Sequence, residues 1–320
     1  MNRYFCADMC VVLQASRIKQ AAVEAGFDLC GICRVRNFDA EKKFFEGWLE
    51  RGCDAGLEYL RRNVDKRFSP AALMPGARAV VVCGVVYKND TSLGYGTAQG
   101  VPKVASYARS ADYHTSIKEM LYDAAARLGL REEGVRFRAF VDTAPLLEKR
   151  LAVEAGLGFI GRNTLLVSPV AGSFLLLGEL VVDAEADVYD APYQGPGCGA
   201  CRRCVERCPA GALTEAGLDA RRCISRLTVE PHPEQVPALK DRSAVCTAGW
   251  IFGCDECQSV CPYNVKAPCF VNPRFAPLFH PGELAAGEWL AMTGEEFGAR
   301  FGATPMARSG LERIKELLKR

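Results

Sequence analysis

Eight cysteines are concentrated in one stretch of the chain, in two runs with a single cysteine between them. The first run is C-x2-C-x2-C-x3-C followed by Pro209, and the second is C-x2-C-x3-C followed by Pro262. With this spacing three thiolates can wrap one cubane cluster while the fourth points to a different cluster. The pattern therefore predicts two 4Fe-4S clusters. Structural zinc is the alternative for paired CxxC motifs, but zinc sites lack the C-x3-C-P endings.

The crossing pattern of two-cluster ferredoxins divides the eight cysteines into two groups of four. Cluster A is predicted to be held by Cys198, Cys201, Cys204 and Cys261. Cluster B is predicted to be held by Cys208, Cys223, Cys254 and Cys257. Because each run contributes a ligand to the other cluster, we expect the clusters to lie close together, which suits electron passage between them.

Cysteines outside this stretch are expected to pack rather than to ligate. Cys30 and Cys33 form a CxxC inside the apolar segment FDLCGICRV, which is typical of a buried strand. Residues three apart on a strand face opposite sides, a poor geometry for joint ligation. We expect the remaining cysteines to be inert packing residues: Cys6, Cys10, Cys53, Cys83, Cys246 and Cys269.

Three glycines, Gly156, Gly158 and Gly161, spell the G-x-G-x-x-G pattern of a dinucleotide-binding loop. That fingerprint needs a strand before it and a helix opening from it. Here a predicted helix comes first, so we reject a Rossmann site. Gly156 is expected to end that helix, and the other two to allow close backbone approach.

Composition and charge exclude several classes of protein. The 320 residues carry 40 Lys and Arg against 38 Asp and Glu, a net charge of +2, which excludes a generically polybasic nucleic-acid binder. No apolar run reaches the length of a membrane span, and no signal peptide is evident, so we expect a cytoplasmic protein. Sixteen cysteines in a reducing compartment favour metal ligation over disulfides.

Hydrophobic periodicity predicts alternating helices and strands up to about residue 190. Helices are predicted over 16–25, from Asp39 as a possible cap to Gly52, over 113–128 and over 145–155, with Pro145 in its first turn. Strands are predicted over 79–87, 135–141 and 174–182, and a loop over 89–100. We therefore divide the chain into an α/β layered domain (1–190), a cysteine-dense ferredoxin-like domain (191–275) and a short helical tail (276–320) that closes with LERIKELLKR.

Long motifs outside the cysteine runs resemble one family, and they occur in order over about residues 20 to 275. The motifs are YLRRNVDKR, SYARSADYH, VDTAPLLEKRLAVEAGLGFIGRNTLLVSP, LGELVVD, CGACRRCVERCPAGAL, LDARRCIS and WIFGCDECQSVCPYN. Together they resemble epoxyqueuosine reductase, a cobalamin-dependent family that acts last in making the modified base queuosine in tRNA. A generic ferredoxin would match the cysteine runs alone.

The resemblance implies a fold, cofactors and a catalytic acid. The N-terminal part is expected to be a nitroreductase-like α/β domain that binds base-off cobalamin, and the clusters are expected to feed electrons to cobalt. The acid of the family's motif is Asp142 here. An acid at the end of a strand can protonate an epoxide oxygen if its pKa is raised. From the residues alone, a role for Asp142 as the cap of the helix predicted near Pro145 stays equally open.

Other expectations from the matched motifs concern cobalamin, and for each residue a plain structural role stays open. The expected cobalamin contacts are Arg67, Ser106, Tyr107, Asp142, Asn163, Ser225 and Asp255. Glu256 could approach the corrin beside Asp255, and His114 is expected to be a helix-start or core residue rather than a cobalt ligand. Arg226 stands where the family usually has an aromatic residue.

The expected partners are tRNA and an electron donor such as a flavodoxin or ferredoxin, with no membrane. Phosphate contacts are expected from Arg61, Arg62, Lys66, Arg67, Lys319 and Arg320, with solvated surface charges as the alternative. Family members carry a C-terminal helical-repeat domain that helps to hold tRNA, and residues after Phe275 are too few for it, so we expect a shortened member. The alternatives are a corrinoid reductase of another substrate, with dehalogenase-like chemistry, and a non-catalytic electron-transfer protein.

Overall fold

The computed structural model describes residues 11–94, 100–230, 247–269 and 272–319, built around a four-stranded antiparallel sheet. The sheet order is β2-β3-β8-β5, and each neighbouring pair runs antiparallel. The strands in chain order are β1 (Val12–Leu13), β2 (Leu29–Arg34), β3 (Ala79–Val86), β4 (Lys103–Val104), β5 (Phe137–Phe140), β6 (Phe159–Ile160), β7 (Leu166–Val167), β8 (Leu175–Val182), β9 (Glu185–Ala186), β10 (Leu213–Thr214), β11 (Gly217–Leu218) and β12 (Trp250–Phe252).

Helices flank this sheet and make up most of the C-terminal part. The α-helices in chain order are α1 (Ala15–Glu24), α2 (Asp39–Glu50), α3 (Glu58–Arg61), α4 (Val64–Arg67), α5 (Pro70–Leu73), α6 (Tyr113–Arg127), α7 (Glu148–Glu154), α8 (Arg203–Arg207), α9 (Ile224–Val229), α10 (Glu256–Ser259), α11 (Pro262–Lys266), α12 (Ala286–Ala291), α13 (Gly294–Phe301) and α14 (Gly310–Leu318). Short 3-10 turns lie at Ser106–Arg109, Pro273–Phe275, Pro281–Glu283 and Pro305–Arg308. Among the helices described, none has the length and apolar character needed to cross a membrane.

The central strand β3 shows why both faces of the sheet are covered. All of its residues are buried, and alternate side chains enter two separate cores. Val81 and Cys83 pack on one side with helices α1 and α6, and Val80 and Val82 pack on the other side with α7. Gly178 on β8 lets α6 approach closely, because a Cβ there would meet Ile117 Cγ2 at 2.5 Å. The result is a three-layer α–β–α arrangement.

The predicted elements of this layered part are largely confirmed. The helices at α1, α2 and α6 and the strands at β3, β5 and β8 lie within one to three residues of the predicted bounds. Asp39 is the first helical residue rather than the cap, because Phe38 occupies the cap position without a side-chain bond. Cys30 and Cys33 lie on β2 and enter opposite cores, as predicted. The predicted loop 89–100 lies partly outside the described residues.

The helix predicted from Pro145 starts later than expected, and the prediction is wrong in this respect. Helix α7 begins at Glu148, and its cap position is Leu147. Before it the chain stays in tight non-helical turns, with Leu146 N–H donating to Ala144 O at 2.8 Å. Pro145 therefore belongs to the loop that carries Asp142, and this loop is not part of helix α7.

The C-terminal residues pack as a separate small core against the cluster-bearing segment. Trp289, Phe301 and Ile314 are buried in this core together with Ile251 and Phe252 of β12. Strand β12 pairs in parallel with β4, so the tail is tied to both earlier parts of the chain. The helix predicted at the end of the sequence is confirmed as α14, which docks its apolar face on this core.

Candidate cluster sites and active site

A cavity of about 330 Å³ is lined by the four cysteines predicted to hold cluster A. Cys204 is buried on helix α8, and Cys261 caps α11 with Pro262 in the first helical position. Arg162 N–H points at Cys198 Sγ from 3.4 Å. Such N–H···S contacts stabilise the extra negative charge of a reduced cluster. We call this space the cluster A cavity.

A second cavity of about 440 Å³ is lined by the four cysteines predicted to hold cluster B, together with aromatic and apolar side chains. Ala212 N–H donates to Cys208 Sγ at 3.2 Å. Tyr87, Tyr107 and Trp48 form part of the wall. We call this space the cluster B cavity; its lining extends well beyond the four cysteines.

Burial raises the pKa of Cys204 and Cys261 in the cluster A cavity and of Cys223, Cys254 and Cys257 in the cluster B cavity, which favours the neutral thiol. It raises the pKa of Cys254 to about 12 and that of Cys257 well above its usual value, with nearby carboxylates and cysteines adding to the effect. Thiolates are the ligands of iron, so cluster assembly must displace these protons. Cluster assembly is therefore coupled to the deprotonation of these cysteines.

Asp142 lies at the end of β5 and is held by two side chains from the start of helix α6. Tyr113 Oη donates to Asp142 Oδ2 at 2.9 Å, and His114 Nε2 lies 3.0 Å from the same oxygen. The other ring nitrogen of His114 lies 2.7 Å from Asp112 Oδ1, so the imidazole bridges two carboxylates. The Asp142 side chain keeps 48% exposure although protein surrounds it on most sides, as expected for a group that lines a recess.

The contacts between His114 and Asp142 shift the pKa values of the two groups in opposite directions. Burial alone would raise the pKa of Asp142, but the hydrogen bonds from His114 and Tyr113 outweigh it and hold the pKa below its usual value. The hydrogen bond to Asp142 raises the pKa of His114 against the effect of burial. The condition stated above for an isolated acid, a raised pKa, is therefore not met by Asp142. The carboxylate forms a hydrogen-bonded pair with His114 instead.

The backbone of Asp142 adopts a left-handed conformation, with φ of 50°. This is unfavourable for a residue other than glycine, though aspartate tolerates it better than most. Its N–H donates to Glu148 Oε1 at 2.5 Å, so the first residue of α7 holds the loop in place. Burial, reinforced by repulsion from Asp142, raises the pKa of Glu148 to about 7.

A helix-capping role for Asp142 is not observed. The cap position of α7 is Leu147, and no side chain bonds to it there. The Asp142 carboxylate is engaged by Tyr113 and His114 instead. The alternative left open by the sequence therefore falls away, and the carboxylate stays available to the recess.

The expected cobalamin contacts divide into two groups. Tyr107, Asn163, Ser225 and Asp255 line the cluster B cavity, and so does Glu256. Arg67, Ser106 and Asp142 are not part of its lining.

Arg67 and Ser106 each support a lining residue instead. Ser106 N–H donates to Asp255 Oδ2 at 2.7 Å, and Arg67 Nη2 lies 3.4 Å from Tyr59 O. Tyr59 itself lines the cavity.

The cavity and the Asp142 recess are joined by two tyrosines. The ring of Tyr107, in the cavity wall, meets the ring of Tyr113 edge to face with centroids 6.2 Å apart. Tyr113 in turn holds Asp142. The ring contact thus links the cavity wall to the side chain that holds Asp142, although Asp142 itself is not part of the cavity lining.

Two buried polar side chains of the cavity wall have nitrogen atoms without a partner among the described residues. These are Asn163 Nδ2 and the Nε and Nη1 of Arg226. Arg226 is 7% exposed, and its single hydrogen bond runs from Nη2 to Ala55 O at 3.2 Å. Unsatisfied buried donors are costly, so a site that contains them fits a ligand with acceptor groups.

Sequence reasoning missed the residues that act through long-range contacts. His114 was expected only at a helix start, which is confirmed, but its contact with Asp142 was not foreseen. Tyr113 and His114 are adjacent in the chain, yet nothing in the local sequence indicates that they contact residue 142. Sequence reasoning also missed the hydrogen bonds that join Asp255, Gln258 and Ser173, in which Gln258 Nε2 donates to Asp255 Oδ1 at 3.1 Å.

Comparison with known proteins adds two family matches. Residues 197–264 match the 4Fe-4S double cluster binding domain, which accounts for the two cysteine cavities. Residues 67–143 match the family model described as epoxyqueuosine reductase QueG, a range that ends one residue beyond Asp142.

Relatives of known name are similar over nearly the whole chain. An epoxyqueuosine reductase of Cyclobacterium marinum is 36% identical over 300 residues, which cover 93% of this chain and 92% of that protein. One from Pseudomonas aeruginosa is 37% identical, over 93% of this chain and 82% of that protein.

Solved structures agree with these sequence matches. The crystal structure of an epoxyqueuosine reductase with an epoxyqueuosine-modified tRNA-Tyr stem loop has a TM-score of 0.81 and 26% identity, over 95% of this chain and 79% of that one. The enzyme from Streptococcus thermophilus gives a TM-score of 0.78 and 28% identity over the same shares.

Proposed function

The chain belongs to the epoxyqueuosine reductase family, and from this premise we propose that it reduces epoxyqueuosine in tRNA to queuosine. The reaction consumes two electrons and two protons. Both C–O bonds of the epoxide break, a carbon–carbon double bond forms, and the oxygen leaves as water. The observation that carries the proposal is that Tyr113, which holds Asp142, packs on Tyr107 in the wall of the cavity lined by the cluster B cysteines.

Two 4Fe-4S clusters are the electron carriers of this enzyme, and cobalamin is the group that we assign to the free part of the cluster B cavity. The fit rests on the unpartnered donors of Asn163 and Arg226, because the corrin periphery and its phosphate present hydrogen-bond acceptors. Tyr107 and Ser225 would complete the contacts. When bound, cobalamin supplies a strongly reducing cobalt centre beside the cluster.

The chain's own contribution to the chemistry is to hold and move protons. His114 Nε2 gives its proton to Asp142 Oδ2, and the Asp142 carboxyl group passes that proton on to the epoxide oxygen. Asp112 orients the imidazole through Nδ1 and stabilises its charged form. Tyr113 fixes the carboxylate in place, so proton transfer needs no rearrangement of the loop.

The division of labour along the chain follows the sequence boundaries. We assign residues 1–190 to a nitroreductase-like part that binds cobalamin and carries Asp142, and residues 191–275 to a ferredoxin-like part that binds the clusters. Residues 276–320 form the helical tail. In support, the cavity wall draws Tyr107 from the first part and Cys223 from the second.

For the tRNA substrate, the exposed cations of one short segment are the best candidates for phosphate contacts. Arg62 and Lys66 are exposed, whereas Arg61 is bound to the buried Asp54 at 2.7 Å and Arg67 supports Tyr59. We therefore assign phosphate binding to Arg62 and Lys66 and a structural role to the other two. Lys319 is exposed at the end of α14, and Arg320 lies outside the described residues.

Nucleoside analysis of tRNA tests the proposal directly. Cells that lack this protein should accumulate epoxyqueuosine and contain no queuosine, and the purified enzyme with reductant and cobalamin should convert one to the other. Unchanged queuosine in such cells would instead indicate a corrinoid reductase of another substrate. A carrier without catalytic activity would bind no cobalamin.

A further inference from the structure

The opening of the cluster A cavity carries an uneven distribution of charge. Three cations line this cavity, Arg162, Arg203 and Lys266, and no carboxylate is part of the lining. Arg162 is bound to Glu215 at 3.1 Å and to Gly199 O at 3.0 Å. Within the described residues, Arg203 and Lys266 are exposed and have no ion-pair partner.

Beside these cations lies a small aromatic and aliphatic patch. The ring of Phe159 packs against Tyr263 with centroids 5.2 Å apart and against Tyr193 with centroids 5.9 Å apart. Ile160 and Val265, next to them in the chain, are 42% and 56% exposed. Tyr263 Oη donates to Pro196 O at 2.8 Å, so the loop before Cys198 is fixed over the patch.

The order of the two cavities determines where electrons must enter. The cluster B cavity contains Tyr107, which leads to the Asp142 recess through Tyr113. The lining of the cluster A cavity includes neither tyrosine and adjoins the exposed cations instead. Electrons bound for the recess therefore reach cluster A first.

We propose that a small acidic one-electron carrier protein docks on the surface formed by Arg203, Lys266, Phe159 and Tyr263, above the cluster A cavity, and reduces cluster A. The inference rests on the proposed function, because it assigns the donor side of the same electron path. An apolar centre with a cationic rim fits a carrier whose redox group is surrounded by carboxylates. Such complementarity raises the rate of association at low ionic strength and loses its effect in salt.

The polyanionic backbone of RNA would also be attracted to these cations, but the observations favour a protein. A chain of phosphates makes no favourable contact with the exposed aliphatic side chains of Ile160 and Val265. The cations also lie on the cluster A cavity, whereas the tRNA base must reach Asp142, which is not part of the lining of that cavity. A carrier protein needs its contact close to the cluster, since electron transfer falls steeply with distance.

The test measures cluster reduction in the anaerobic holoenzyme by stopped-flow absorbance, without substrate. The variant is the double charge reversal Arg203→Glu with Lys266→Glu, and the matched control is Lys118→Glu with Arg131→Glu, which makes the same charge change at exposed positions away from the cluster ligands. The electron donor is reduced flavodoxin. Photoreduced 5-deazariboflavin, a small uncharged reductant, reports whether the clusters themselves are intact.

We expect the docking variant to slow reduction by flavodoxin about tenfold or more at low salt and to lose most of the salt dependence. The control variant and all reactions with deazariboflavin should stay within about twofold of wild type, a range that excludes a loss of electrostatic steering. Equal effects in both variants, or none in either, would overturn the proposal. So would a loss of tRNA stem-loop affinity in the docking variant with unchanged flavodoxin kinetics, because the surface would then bind RNA.

If the double charge reversal prevents cluster assembly, the neutral pair Arg203→Gln with Lys266→Gln replaces it. The expected decrease is then about threefold, since attraction is removed without added repulsion. A neutral pair that is reduced as fast as wild type would overturn the proposal. Because the measurement needs no epoxyqueuosine, its outcome is independent of whether the substrate has been assigned correctly.

Discussion

His114 Nε2 and Asp142 Oδ2 lie 3.0 Å apart, although 28 residues separate them in the chain. The contact joins the first turn of α6 to the loop after β5, and Asp112 holds the far side of the imidazole. The arrangement keeps one proton between a base and a carboxylate at the edge of the cavity. The predictions below start from this pair and extend to the groups that support it.

Asp142→Asn should abolish most of the turnover while leaving the fold intact. Asparagine tolerates the left-handed backbone at this position and can still accept from Tyr113, but it cannot pass a proton to the epoxide oxygen. We expect the rate to fall about 10² to 10⁴-fold. Iron content and cobalamin affinity should match wild type, and retained turnover would show that the acid lies elsewhere.

His114→Gln should change the pH dependence of the reaction and not just its rate. The pKa of His114 is raised above its usual value, so its proton is present below the raised pKa and is lost as the pH rises through it. Wild-type activity should therefore decline on the alkaline side of the raised pKa, and in the variant the decline should begin at lower pH. Any contribution of the pair to stability is lost at high pH, when His114 deprotonates, and at low pH, when Asp142 protonates below its lowered pKa.

Tyr113→Phe is the matched control for this pH profile. It removes a hydrogen bond to the same carboxylate oxygen but no group that titrates near neutrality. We expect a lower rate with the alkaline decline still in its wild-type position. If both variants shift the decline equally, the titrating group is not His114.

Features of this site that neighbouring residues determine could be predicted from the sequence, and features that distant residues determine could not. The cysteine runs are local, so spacing alone assigned Cys208 to one cavity and Cys261 to the other, and the cavities have those linings. The Asp142 pair is not local, so its imidazole partner and the lowered pKa that follows could not be seen in the sequence. Likewise Glu148, the first residue of α7, accepts from the Asp142 N–H, a contact that helix propensity does not indicate.

Glu148 should prove important for its acceptor oxygen rather than for its charge. Its Oε1 accepts the N–H of Asp142 and so holds the unfavourable left-handed backbone there. Glu148→Gln keeps an acceptor, so we expect turnover within about threefold of wild type at pH 8; Glu148→Ala releases the loop and should cost about 10²-fold, as small misplacements of reacting groups do. The pH range matters because the pKa of Glu148 is about 7, so charge is being removed from a group that is only partly ionised near neutrality. Equal losses in the two variants would favour a role for the charge.

Double substitutions of cysteines test the assignment of ligands to clusters. Cys261→Ser should destroy cluster A and lower the iron content from about eight atoms to about four. Adding Cys198→Ser should remove no further iron, because both residues line the same cavity, whereas adding Cys254→Ser should remove the rest. The opposite pattern of additivity would mean that the crossing ligands are exchanged.

We expect the Arg226 side chain to lower the stability of the protein without cobalamin and to raise its affinity for cobalamin. The guanidinium is buried with one hydrogen bond, to Ala55 O, and such a charge is destabilising unless a ligand completes its contacts. Arg226→Met should therefore leave the apo-protein as stable as wild type or raise its Tm, while the Kd for cobalamin rises about tenfold, the loss of one charged hydrogen bond. The control is Arg222→Met, an exposed arginine in the same segment outside the cavity lining, which should change neither quantity. A variant at 226 that loses stability and keeps its cobalamin affinity would show that the arginine supports the fold, and the cavity would then need other donors for the corrin.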